Sequence, residues 1–64
     1  MNQIKKARLV AGLTQGELAE KLSVSTVSVC KWENGVTFPR AKRLKQVAKV
    51  LHVSVKSLLE EEAV

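Results

Sequence analysis

One side of a possible helix over residues 25–34 carries three side chains of different chemistry, those of Thr26, Val27 and Lys31. Val29 is the apolar residue expected to face a core. At about 100° per residue, Val27 and Lys31 point away from that core, and Thr26 lies at the edge nearer the helix start. Lysine can donate to guanine O6 and N7, threonine can donate or accept, and valine can pack on a thymine methyl. Together they could recognise base pairs, although a solvated lysine and a surface valine are the simpler alternatives.

Residues for catalysis or metal binding are few. The 64 residues include one cysteine, Cys30, one histidine, His52, no aspartate and no glycine-rich phosphate loop. These residues cannot supply a catalytic nucleophile together with its general base, and they cannot form a metal site. We therefore expect no enzyme activity, metal, cofactor or small-molecule ligand. A lone cysteine also excludes an internal disulfide, and Cys30 is expected to be an ordinary thiol rather than a redox switch.

The charge distribution is strongly asymmetric. The net charge is +5, but residues 1–59 alone carry eleven Lys and Arg against three Glu, a net charge of +8. Such a surface suggests a polyanion, either nucleic acid or an anionic membrane. The sequence has neither a signal peptide pattern nor about 18 consecutive apolar residues. We expect a cytoplasmic protein without a membrane partner, with one domain over 1–59 and an acidic tail over 60–64.

Caps and turn signals divide the chain into five short helices, so the predicted fold is all-α. Thr14 and Glu17 have the spacing of a capping box, and Gly12 and Gly35 can adopt the positive φ that ends a helix. The predicted helices cover about 2–11, 14–23, 25–34, 40–51 and the segment after Ser54.

Apolar residues at helical spacing give each predicted helix a core-facing side. The predicted core positions are Ile4, Ala7, Arg8, Ala11, Leu18, Ala19, Leu22, Val29, Trp32, Leu44, Val47, Ala48, Leu51, Val55, Leu58 and Leu59. Leu9 and Val10 fall outside this pattern. The turn between the second and third helices is too short for an antiparallel arrangement, so the two must cross steeply. This is the spacing of a helix-turn-helix, whose second helix can enter a major groove.

Two sequence motifs resemble those of the phage repressor and Cro-like (XRE) helix-turn-helix domains. They are Leu13-Thr14-Gln15-x-Glu17-Leu18-Ala19 and Trp32-Glu33-Asn34-Gly35, and the resemblance covers essentially the whole chain. One departure is Ser23, where the family often carries glycine in the turn. The resemblance implies a compact, lambda-repressor-like five-helix bundle that binds double-stranded DNA sequence-specifically.

The resemblance also implies roles for particular residues. Thr26, Val27 and Lys31 would contact bases, and Gln15 would contact a backbone phosphate or a base edge. Arg8 and Glu33 would form a partly buried ion pair; the alternative is two solvated charges. Phosphate contacts would come from helix N-termini and nearby polar or basic residues. The candidates are Ser25, Ser28, Asn34, Gly35, Arg40, Lys42 and Arg43.

A single domain of this size contacts few bases, so a two-fold dimer on an inverted repeat is expected. The predicted interface is Val55, Leu58 and Leu59, whether the dimer forms before or only upon DNA binding. With no further domain in the sequence, repression by occupying an operator is the expected activity. The alternative is a protein-interaction module that uses Leu9, Val10 and the region 55–59. Salt dependence would discriminate the two functions.

Overall fold

The computed structural model describes residues 3–59 and shows five helices and no strand within that range. They are α1 (Gln3–Val10), α2 (Gln15–Leu22), α3 (Thr26–Glu33), α4 (Ala41–Leu51) and α5 (Val55–Leu59). The predicted all-α, five-helix fold is confirmed. Several helices are shorter than predicted, because residues such as Ser25 and Arg40 are N-caps rather than helical residues. Asn2 and the acidic tail 60–64 lie outside the described residues.

Hydroxyl side chains cap the starts of three helices. Thr14 Oγ1 accepts from the Glu17 backbone N–H at 3.0 Å, and Glu17 Oε1 accepts from the Thr14 N–H at 2.9 Å, which confirms the predicted capping box. The bond from the Thr14 backbone lowers the pKa of Glu17. Ser25 and Ser54 each accept from the N–H three residues later. These bonds satisfy donors that have no partner inside the helix.

The first four helices end in a shared backbone arrangement. A residue with positive φ follows each helix, namely Gly12 (75°), Ser23 (57°), Gly35 (74°) and His52 (58°). At the end of α2, the Ser23 N–H donates to the Glu20 carbonyl at 3.1 Å, and the Val24 N–H donates to the Ala19 carbonyl at 3.0 Å. This is the Schellman pattern, in which glycine is the usual left-handed residue. Ser23 therefore adopts the left-handed conformation at the position where the family often has glycine, and its backbone is strained because it carries a Cβ atom.

The core lies where α2 and α3 pack together, with α4 against α2 and α5 against α1 and α4. Its buried apolar residues are Ile4, Leu18, Ala19, Leu22, Val29, Trp32, Leu44, Val47, Ala48, Leu51 and Leu58. All of them were predicted core positions. Ala11 and Leu59 were predicted there too but are exposed, because Ala11 lies beyond the end of α1 and Leu59 lies on the outer side of α5. Packing on only one side of α3 leaves its opposite face at the surface.

Candidate nucleic-acid interface

The outer face of α3 carries the three side chains expected to recognise bases. Val29 is fully buried and fixes the inner face of the helix. Thr26 and Lys31 are exposed, and Val27 is 61% exposed. A large apolar side chain at the centre of a polar outer face is suited to contact a thymine methyl group. The structure thus brings a hydroxyl, a methyl pair and an ammonium group together on one accessible helix.

The start of α3 is organised by two serines. Ser25 Oγ accepts the backbone N–H of Ser28 at 3.1 Å, and the two hydroxyls lie 3.1 Å apart. The Ser25 hydroxyl is therefore already occupied as an N-cap. First-turn N–H groups of a helix have no acceptor within it, and the helix dipole is positive there. An anion such as a phosphate would meet backbone donors at this end, with Ser25 orienting them rather than competing for the anion.

Behind these helices, Arg8 and Glu33 form a two-pronged ion pair. Arg8 Nε donates to Glu33 Oε2 at 2.6 Å, and Arg8 Nη2 donates to Glu33 Oε1 at 3.0 Å. The Arg8 and Glu33 side chains are only 8% and 1% exposed. Arg8 Nη1 also donates to the Leu13 carbonyl at 2.7 Å. The pair therefore links α1, the turn before α2, and the end of α3.

Gln15 is part of the same hydrogen-bond network. Its Nε2 donates to Glu33 Oε1 at 3.1 Å, so Glu33 accepts three hydrogen bonds. Burial by itself would raise the pKa of Glu33, but the hydrogen bonds from Arg8 and Gln15, together with the positive charges of Arg8 and Lys5, hold the pKa below its ordinary value. The hydrogen bond to Glu33 raises the pKa of Arg8. Glu33 is consequently a buried carboxylate that stays ionised at neutral pH.

Sequence reasoning missed the bond between Gln15 and Glu33. The two residues lie 18 positions apart, on different helices, and only their packing brings them together. One signal was available: Glu33 was expected to be buried with Arg8, and a buried carboxylate needs more hydrogen-bond donors than the two that one arginine directs at it.

A cleft between α3 and the start of α4 carries several of the residues expected to contact phosphates. Arg40 and Lys42 are exposed at its rim, and the half-buried Ser28 lines it beside Phe38. These cations are close enough to the start of α3 to line the same cleft. The structure thus places a basic rim beside the outer face of α3.

Arg43 and Asn34 make internal contacts that the sequence did not reveal. Arg43 Nη1 donates to the Leu22 carbonyl at 2.9 Å and to Gln46 Oε1 at 2.7 Å, so it caps the C-terminal end of α2. Asn34 Nδ2 donates to Cys30 Sγ at 3.2 Å within one helical turn. Gly35 adopts the expected positive φ. Arg43 therefore stabilises the packing of α4 on α2, in addition to any role in binding a phosphate.

The candidate dimer residues of α5 differ in accessibility. Leu58 is 3% exposed and belongs to the core of the single chain, so it has little surface left for a partner. Val55 packs partly against that core, and Leu59 is 57% exposed. On α1, Leu9 and Val10 are 54% and 83% exposed. Any contact with a second chain at α5 would rest on Leu59 and the accessible part of Val55.

Residues 3–59 contain neither a membrane-spanning helix nor a cluster of metal-binding side chains. No helix in that range has the length and apolar character needed to span a bilayer. Nor does the described part of the chain group three or more metal-binding side chains.

Comparisons with known proteins agree with this geometry. A family model described as Helix-turn-helix matches residues 4–58. The HTH-type transcriptional activator BcrR of Enterococcus faecalis is 37% identical over 60 residues, which cover 94% of this chain but only 29% of BcrR. The chain therefore spans less than a third of the length of this relative.

A solved structure extends the likeness to three dimensions. The solution structure of the N-terminal DNA-binding domain of the master biofilm-regulator SinR from Bacillus subtilis is similar with a TM-score of 0.78 and 37% identity. The match covers 95% of this chain and 90% of that domain. Sequence motifs, helix arrangement and comparisons thus agree, and the chain belongs to the XRE-like helix-turn-helix family of DNA-binding transcription regulators.

Proposed function

We propose that this chain binds a specific double-stranded DNA sequence with α3 in the major groove and represses transcription by occupying an operator. The observation that carries the proposal is the outer face of α3. Thr26, Val27 and Lys31 are exposed there, while Val29 anchors the helix in the core. These three side chains can distinguish base pairs by donor, acceptor and methyl contacts.

Phosphate contacts would hold α3 in register along the groove. Arg40 and Lys42 are exposed beside α3. The Ser25 hydroxyl occupies the Ser28 N–H, whereas the N–H groups of Thr26 and Val27 have no acceptor within the helix. Ser28, Asn34, Gly35 and Arg43 complete the proposed set, although Arg43 already donates to the Leu22 carbonyl. The net charge of +8 over residues 1–59 favours this polyanion over an uncharged partner.

The proposed complex is a two-fold dimer on an inverted repeat. One domain contacts too few bases to select one site in a genome, and symmetry doubles the contacts. Leu59 and the accessible part of Val55 support an interface at α5. Such a small apolar surface favours dimer formation on DNA over a tight dimer in its absence.

Repression is the proposed activity because a domain bound across a promoter blocks transcription by occupancy alone. BcrR, by its name, is an activator, and it is more than three times as long as the segment shared with this chain. A cytoplasmic location is part of the proposal and is supported by the single free cysteine.

Selection of bound fragments from a random duplex library tests the proposal. The expected result is one enriched motif with two-fold symmetry and half-sites separated by about one helical turn, roughly 34 Å. A Val27→Ala, Lys31→Ala variant should enrich a different or weaker motif, while a Lys6→Ala variant, which alters an exposed α1 lysine, should enrich the same one.

Three outcomes would overturn parts of the proposal. A single asymmetric half-site at full occupancy would refute the dimer. An enriched operator that increases expression of a reporter would refute repression. The absence of any enrichment would refute DNA recognition and favour the protein-interaction alternative, for which Leu9 and Val10 supply exposed apolar surface.

A further inference from the structure

The buried carboxylate of Glu33 touches a side chain expected at the DNA surface. Gln15 is the first residue of α2, and its side chain is half-buried, with Nε2 donating to Glu33 Oε1 at 3.1 Å. An ionised carboxylate can only accept hydrogen bonds. The contact therefore determines which end of the Gln15 carboxamide faces the protein: the nitrogen faces inward, and the oxygen does not.

This orientation leaves a defined pair of groups for a ligand. Nε2 retains its second N–H, and within residues 3–59 the structure shows no hydrogen bond to Gln15 Oε1. The free groups are one donor and one acceptor on the same amide. In the major groove, adenine presents the matching pair, an N7 acceptor and an N6–H donor, and glutamine is a common bidentate partner for it.

We infer that Glu33 is a positioning residue for DNA recognition: it holds the Gln15 carboxamide with Oε1 and one N–H outward, so that Gln15 selects adenine. The inference rests on the proposed function, because it requires DNA to meet the start of α2. Glu33 itself touches no DNA, since its side chain is 1% exposed.

Arg8 holds Glu33 in the required place. Two hydrogen bonds from Arg8 fix both carboxylate oxygens, and a third bond ties Arg8 to the Leu13 carbonyl just before α2. These bonds hold the Glu33 carboxylate within reach of Gln15. The ion pair that joins the helices thus also orients the recognition amide.

The test separates loss of orientation from loss of stability. In an Arg8→Met, Glu33→Leu double variant, both charges leave the interior together, which is often tolerated, and Gln15 loses its acceptor. Arg8→Lys is the matched control, because it weakens the ion pair but leaves the Glu33 carboxylate for Gln15. Circular dichroism establishes that each variant is folded before binding is measured.

The DNA measurement uses sets of four duplexes that differ at one base pair, with one set for each position of the enriched operator; the adenine preference is expected at the position that meets the start of α2. The wild type and Arg8→Lys should prefer adenine there by about tenfold. Gln15→Ala and the Arg8→Met, Glu33→Leu variant should each lose that preference, and combining all three substitutions should have no further effect on it. If the double variant keeps the preference, Glu33 does not position Gln15. If Gln15→Ala weakens all duplexes equally, Gln15 contacts phosphate and the adenine assignment is wrong.

A measurement on the free protein distinguishes this inference from the proposed function. The two Gln15 side-chain amide protons should be ordered in ¹H–¹⁵N relaxation spectra of the wild type and mobile in the double variant. Ordered amide protons in a protein that binds no duplex would refute the proposed function and leave the orientation standing. Equal mobility in both proteins would refute the orientation itself.

Discussion

Replacing Arg8 and Glu33 singly and together tests how the buried ion pair stabilises the fold. Arg8→Met leaves a carboxylate that is 1% exposed and retains only the bond from Gln15 among those observed. Glu33→Leu leaves a guanidinium that is 8% exposed, with the Leu13 carbonyl as its observed acceptor. Breaking a buried pair in this way costs about 3–5 kcal/mol. Since a core of this size supplies roughly 3–5 kcal/mol in total, the free energy of unfolding of either single variant should fall to about zero, which means that about half of the molecules are unfolded at 25 °C.

The double variant should recover most of the loss. Both charges are removed, and the remaining penalty is the Leu13 carbonyl, which loses its donor at a cost of about 1–3 kcal/mol or less if water reaches it. Urea titrations of all four proteins, followed by far-ultraviolet circular dichroism in one fixed concentration of trimethylamine N-oxide, would keep the single variants measurable. The expected coupling free energy is at least about 2 kcal/mol. Strictly additive losses would refute the coupling of Arg8 and Glu33, because they would mean that neither charge depends on the other.

Three other predictions concern acid stability, the turn after α2, and the roles of two lysines. Because the folded-state pKa of Glu33 is lowered, its contribution to stability is full above the ordinary glutamate pKa of about 4.3 and is lost as the pH falls through the folded-state value. Urea midpoints between pH 7 and pH 3 should show this loss, and an unchanged midpoint would contradict it. Ser23→Gly should raise the free energy of unfolding by about 0.5–1 kcal/mol, since glycine adopts the observed φ of 57° without strain. His52→Gly should act similarly at the end of α4. A decrease in the urea midpoint of either variant would contradict the presence of backbone strain at these residues. In competition assays on single-base operator variants, Lys31→Ala should change base preference by about 1–3 kcal/mol at one position, whereas Lys42→Ala should weaken all duplexes alike; a uniform effect of Lys31→Ala would remove it from the base-contacting set.

The helices and the core could be predicted from the sequence because their signals are local. Thr14 and Glu17 are three residues apart, and the apolar spacing within each helix identifies its buried face without knowledge of the partner helix. The predicted helix boundaries differ from the observed ones by one or two residues, because the same sequence signal marks both the capping residue and the first turn of the helix. Ser23 shows the limit of this reasoning, since its left-handed φ depends on the hydrogen bonds that close the turn.

The contacts around the site could be predicted only in part. Arg8 lies on the core face of α1, and the family resemblance implies Glu33 as its partner. The bonds from Gln15 to Glu33 and from Arg43 to the Leu22 carbonyl join residues 18 and 21 positions apart. Such pairs depend on how far long side chains reach across packed helices, which periodicity does not encode. For the same reason, Leu58 was predicted to belong both to the core and to the dimer interface. Only the packing of the helices shows that Leu58 is buried within the single chain.

The dependence of duplex affinity on salt is the most direct test of DNA binding by this face. Kd for the enriched operator should rise linearly with salt concentration on logarithmic axes, with a slope of about 0.9 for each phosphate contacted. Lys42→Ala should reduce that slope by about one for each bound domain if its ammonium group neutralises a phosphate. We expect both the steep dependence and its reduction; an affinity that stays constant between about 50 and 200 mM salt would contradict DNA binding by this face.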